Sequence, residues 1–123
     1  MNHRLERVES QLKQELSLIL MQKVQNPQFG LITVTGVRVS PDLKIARVYI
    51  SVFNRESREE ALEHIVGLTS LFRGMLAGRV KLRYTPELKF FIDDTLDYVE
   101  KIEGLLKKVH DADNQRNSQS DGN

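Results

Sequence analysis

Leu31-Ile32-Thr33-Val34-Thr35-Gly36-Val37-Arg38-Val39-Ser40-Pro41-Asp42-Leu43-Lys44-Ile45-Ala46-Arg47-Val48-Tyr49-Ile50-Ser51-Val52-Phe53 is the stretch that decides the fold. Leu31 to Thr35 reads as a strand of β-branched residues. Gly36 interrupts its alternation, and Val37 and Val39 resume on the opposite parity, which predicts a β-bulge. Ser40-Pro41-Asp42-Leu43 carries turn chemistry. Lys44 to Phe53 alternates cleanly: Ala46, Val48, Ile50 and Val52 face one way, Arg47, Tyr49, Ser51 and Phe53 the other. A turn this short makes the two strands antiparallel neighbours.

Working outward, Leu5, Val8, Leu12, Leu16, Ile19 and Leu20 recur at helical spacing and predict an amphipathic helix of about 20 residues, stopped by Asn26-Pro27. After the hairpin, Ser57-Arg58-Glu59-Glu60 reads as a capping box. It opens a helical pattern with apolar positions at Leu62, Ile65, Leu68 or Thr69, Phe72, Leu76 and Val80. Gly67, Ser70, Gly74 and Gly78 are weak helix formers within it, so a kink or two helices in tandem is expected. Pro86 ends this region. Leu88, Phe90 and Ile92 alternate with Lys89 and Phe91 as a third strand. Asp93-Asp94-Thr95 then caps a last helix with Leu96, Val99, Ile102, Leu106 and Val109 on its apolar face. From Asp111 the chain is polar and is expected to be a disordered tail, residues 111–123, behind one domain at 1–110.

The order α-β-β-α-α-β-α predicts an α+β fold: a three-stranded mixed sheet with helices packed on one face. The second and third strands are connected through helices, so they should run parallel with a right-handed crossover.

The 123 residues suit one domain. The absence of cysteine excludes disulfides and thiolate metal sites. No apolar run approaches the roughly 20 residues of a membrane helix, and Met1-Asn2-His3-Arg4 lacks the apolar core of a signal peptide. A soluble, cytoplasmic monomer is the expectation, with no cofactor, metal or small-molecule substrate. No nucleophile elbow, P-loop or dinucleotide fingerprint is present, and His3, His64 and His110 are isolated in sequence.

Net charge is only +1, but it is unevenly spread. Arg73 to Lys89 holds five basic residues and one acid, net +4, whereas Ile92 to Asp113 holds seven acids and three lysines, net −4. Such a dipole orients a protein on a polyanion. Arg79, Lys81, Arg83 and Lys89, with Arg73 nearby, are therefore candidates for phosphate contacts. Arg4, Arg7 and Lys13 on the first helix, and Lys44 and Arg47 near the second strand, are further candidates; contacts of this type position a protein without specifying sequence. Tyr49, Phe53 and Phe91 interleave with Arg47 and Lys89 and are of the type that stacks on unpaired bases. Packing under the last helix or a terminus is the simpler reading, because an exposed aromatic patch needs a reason. Asp93, Asp94 and Asp97 form an acidic cluster of the kind that holds Mg²⁺, although acids opening a helix are ordinarily capping residues.

The element order is that of type II KH domains, which are RNA-binding modules. Arg83-Tyr84-Thr85-Pro86-Glu87-Leu88-Lys89-Phe90 resembles the signature of the bacterial ribosome-binding factor A family. So do Val34-Thr35-Gly36-Val37-Arg38-Val39-Ser40-Pro41-Asp42-Leu43, Ala46-Arg47-Val48-Tyr49-Ile50-Ser51, Arg4-Leu5-Glu6-Arg7-Val8 and Asn26-Pro27, all in the expected order. Ser70, in Leu68-Thr69-Ser70, stands where the family usually has Gly at the bend between the central helices. The resemblance implies a non-enzymatic assembly factor whose partners are the free 30S subunit and its 16S rRNA, near the 5′ end and the decoding region. It also implies a role in late small-subunit maturation, 5′-end processing and growth in the cold. The alternatives are a small Mg-dependent ribonuclease using the three aspartates and a protein–protein adaptor using the sheet aromatics.

Overall fold

The apolar faces read from the sequence assemble around one sheet. The computed structural model describes residues 3–24, 26–95, 97 and 100–109, in two units, Met1–Asp93 and Asp94–Asn123. The first unit runs α1 (His3–Lys23), β1 (Ile32–Val39), β2 (Ile45–Val52), a 3-10 turn (Arg55–Ser57), α2 (Arg58–Gly67), α3 (Thr69–Arg79) and β3 (Glu87–Ile92). The sheet order is β1-β2-β3, antiparallel between β1 and β2 and parallel between β2 and β3. The parallel pair requires the chain to cross over, and α2 and α3 make that crossover.

One face of the sheet is covered by helices. Val8, Leu12, Leu16, Ile19 and Leu20 of α1 are buried, as the 3.6-residue period requires. They join Ala46, Val48, Ile50 and Val52 of β2 and Phe72 and Leu76 of α3 in a single core. Phe72 has no exposed surface and meets Phe90 edge to face at 6.0 Å between ring centroids. Val24, Phe29 and Ala61 are also buried, three core residues outside the expected apolar positions.

The bulge falls where the parity changes. Val34 pairs with Ile50 and Gly36 with Tyr49, so Thr35 is the extra residue. Its hydroxyl donates to the Asp93 carboxylate (2.5 Å) and lies 3.3 Å from the Tyr49 carbonyl. The hairpin turn is closed by side chains. The Ser40 hydroxyl donates to Asp42 Oδ1 (2.6 Å) and accepts from the Ile45 amide (3.0 Å), while Asp42 Oδ1 accepts from the Lys44 amide (3.1 Å). These hydrogen bonds, Ser40 first and the Lys44 amide second, hold the Asp42 carboxyl below the ordinary carboxylate range.

The helical region keeps its two helices but not its cap. The tandem arrangement is found, with the break at Leu68 (φ −100°, ψ 8°) between α2 and α3. The Thr69 hydroxyl donates to the Val66 carbonyl (2.7 Å) there, satisfying one of the acceptors left by the end of α2. The capping box is corrected. Ser57 is the N-cap, but its hydroxyl makes no cap bond. It is buried and donates instead to the Gln28 carbonyl (3.0 Å), tying the start of α2 to the loop before β1. Asn54 Nδ2 reaches the same carbonyl at 2.6 Å. A carbonyl distant in sequence has outcompeted the local amide.

In the second unit, residues 100–109 are helical, and Ile102, Leu106 and Val109 are exposed. Leu96, Val99, His110 and the polar tail lie outside the described residues. No helix among the described residues is long and apolar enough to cross a membrane.

Candidate nucleic-acid interface

Strand register places cations on the sheet face that the helices of the first unit leave open. Side chains alternate along a strand, so residues directly opposite one another share a face. Arg38 pairs with Arg47 and Arg47 with Lys89, forming one row across all three strands. All three side chains are exposed. The next row is Gly36, Tyr49 and Phe91. The Tyr49 and Phe91 rings stack at 5.7 Å with an interplanar angle of 29°. Thr33 and Ser51 follow, and Phe53, just beyond β2, is largely exposed.

The cations expected from the sequence thus divide. Arg47 and Lys89 come together on the sheet. Lys44 is exposed just before β2, and its carbonyl accepts from the Glu87 amide (2.8 Å), which starts the β2–β3 ladder. Lys81 and Arg83 are exposed in the loop between α3 and β3, and the Arg83 guanidinium lies 5.4 Å from the centroid of the exposed Tyr84 ring. Arg73 has an internal use: Nε donates to the Pro86 carbonyl (3.1 Å) and Nη2 to the Thr85 carbonyl (3.0 Å), pinning that loop. Arg79 joins α3 to α1 through Gln22 Oε1 (3.0 Å) and Glu15 (3.6 Å). Arg4, Arg7 and Lys13 are exposed on α1, on the other side of the sheet.

Arg38 was not among the expected site residues. Its signal was present, because a bulge at Gly36 puts Arg38 on the face away from Val37 and Val39, and the short turn sets it against Arg47. The acidic cluster does not form a centre. Asp93 accepts from Thr35, and the Asp97 amide donates to the Asp94 carbonyl (3.0 Å) at the start of the last helix. Among the described residues no three His, Asp or Glu side chains are placed to hold a metal ion.

The arrangement is thus one of exposed basic groups beside aromatic rings, suited to binding a polyanion. Comparison with known proteins agrees in kind. The family model of ribosome-binding factor A matches residues 4–106. The chain is 40% identical to ribosome-binding factor A of Brevibacillus brevis over 109 residues, 86% of this chain and 88% of that one. In structure it is similar to the crystal structure of ribosome-binding factor A from Thermus thermophilus, with a TM-score of 0.64 at 33% identity, covering 72% of this chain and 93% of that one. It is also similar to a homology model of the Thermus thermophilus factor fitted into the cryo-EM map of its 30S complex, with a TM-score of 0.59 at 26% identity, covering 76% and 96%. With the match spanning nearly the whole described chain, the protein belongs to the ribosome-binding factor A family.

Proposed function

We propose that this protein binds the free 30S ribosomal subunit in the cytoplasm as a monomer and assists late maturation of the small subunit. The observation that carries this reading is the family match over residues 4–106, together with the fit of a structurally similar factor into a 30S complex. In this reading the exposed cations Lys81, Arg83, Lys89, Lys44 and Arg47 contact phosphates of 16S rRNA near its 5′ end and decoding region, with Arg4 and Arg7 as outlying contacts. Arg73 and Arg79 reach RNA only with whatever donors their internal bonds leave free. The protein acts by binding and performs no chemistry, so 5′-end processing belongs to a nuclease that it helps to gain access. Growth in the cold depends on it because misfolded rRNA helices rearrange slowly there.

Cosedimentation with purified 30S, 50S and 70S particles tests the proposal. Binding to 30S with little on 50S or 70S is expected, whereas equal binding to 50S would overturn it. Incubation with precursor 16S rRNA and Mg²⁺ should leave the RNA length unchanged.

A further inference from the structure

We propose that the sheet face left free by the helices of the first unit binds an unpaired RNA segment, with one base stacked on the Tyr49–Phe91 pair and its phosphates held by Arg38, Arg47 and Lys89. This rests on the rRNA-binding reading above and deepens it.

Three features of the face favour such an occupant. The first is the row of cations. Like charges directly opposite on neighbouring strands destabilise a sheet, and here two such pairs, Arg38–Arg47 and Arg47–Lys89, share one residue. A polyanion turns that repulsion into attraction. Of the acids near the row, Glu87 shares its face two residues before Lys89, while Glu9 accepts from the Val39 amide, Asp42 is held in the turn by Ser40 and Asp93 accepts from Thr35, so three cations face one carboxylate on the strands.

The second feature is the aromatic pair. Phe91 is 41% exposed and Tyr49 half-buried, so together they offer a platform directly beside the cations. On the other flank of Tyr49 the register position is Gly36, and a Cβ built there would meet nothing within 4 Å. No side chain of β1 therefore stands beside the Tyr49 ring at that position.

The third feature is a cavity of about 290 Å³ lined by Arg38, Val39, Ser40, Pro41, Ile45 and Arg47, at the turn end of the basic row. It gives a neighbouring nucleotide a concave seat. An intact duplex has its bases stacked inward, and the A-form major groove is too narrow for a sheet to enter. Single-stranded RNA is therefore the favoured partner.

The protein contains no tryptophan, so Phe91→Trp places a sole tryptophan in the platform. Its emission should be quenched saturably by a single-stranded RNA oligomer of about 12 nucleotides, a length within the usual range for one small domain, and hardly by a duplex of the same sequence. Fluorescence anisotropy of the labelled oligomer with the full-length chain supplies the second readout. Phe91→Leu should weaken binding at least about fivefold, the low end of the effect of losing one stacked base. Arg38→Ala with Arg47→Ala should weaken it and flatten the log–log salt slope by roughly 1.4, two single-strand phosphate contacts. Melting curves verify that each variant is folded. Unchanged tryptophan emission, equal quenching by duplex, or wild-type affinity of the arginine double variant would each overturn the proposal. So would loss of 30S cosedimentation by these variants with unaltered oligomer binding, since that outcome assigns the face to a ribosomal protein. Failure of the wild type to bind 30S would instead sink the proposed function, independently of the oligomer result.

Discussion

Asp42 closes the β-hairpin turn with its carboxylate, and the ionised form is the one its neighbours prefer. The carboxyl titrates below the usual aspartate range because Ser40 and the Lys44 amide both donate to it. A depressed folded-state value means that the contribution to stability is present above the unfolded pKa and is lost as pH falls through the folded one. Ser40→Ala should therefore raise the Asp42 midpoint toward that of free aspartate, read by NMR titration of the side chain. An unmoved midpoint would show that the amide alone holds it. Leu43, next along, has φ 62°, the left-handed region rarely used by residues with a Cβ. The Leu43 amide donates to the Ser40 carbonyl (2.8 Å), and its side chain packs against the core, and together these hold it there. Arg73 too is fixed by its partners. Its charge was readable in the sequence, but its partners, the carbonyls of Thr85 and Pro86, belong to tertiary structure and could not be read from spacing.

At the scale of elements, periodicity announced every helix and strand of the first unit, because each has one buried face. What it could not announce was competition between partners. Ser57 has the local signature of a capping residue, yet its hydroxyl serves Gln28, far away in sequence. Ser57→Ala should lower the unfolding free energy by about 0.5–1.5 kcal/mol, the net worth of one intramolecular hydrogen bond, and thermal melting will show it. A loss below the error of the melt would mean that Asn54 satisfies Gln28 alone. The helix break is also not made by glycine. Gly67 ends α2 without a positive φ, and a Cβ there would meet nothing within 4 Å. Gly67→Ala should therefore stabilise the protein by about 0.4–1 kcal/mol through the unfolded chain and leave the bend at Leu68. A fall in the melting midpoint would show that the glycine is structurally required. Ser70, exposed in the first turn of α3, lies two residues past the break, which falls within Leu68-Thr69-Ser70 without a glycine there.

Across the whole molecule, the basic strip that looked continuous in sequence is partitioned by folding. Arg73 and Arg79 stabilise the protein, Lys81 and Arg83 stand out on a loop, and Lys89 joins Arg38 and Arg47 on the sheet. Replacing Lys81 and Arg83 together by Ala should leave the melting midpoint nearly unchanged while flattening the salt slope of 30S binding by roughly 1.4–1.8. An unchanged slope would remove that loop from the interface. Arg79→Ala should behave differently, losing up to about 1 kcal/mol of stability with its α1 partners whether or not RNA is present. The topology has a further consequence, in time rather than in space. The β1–β2 hairpin is local in sequence, but β3 can pair with β2 only after the intervening α2–α3 crossover has been made. On a translating ribosome, β2 therefore waits with one row of backbone groups unpaired until residues 87–92 emerge, and for that interval the nascent chain is open to pairing with a foreign strand.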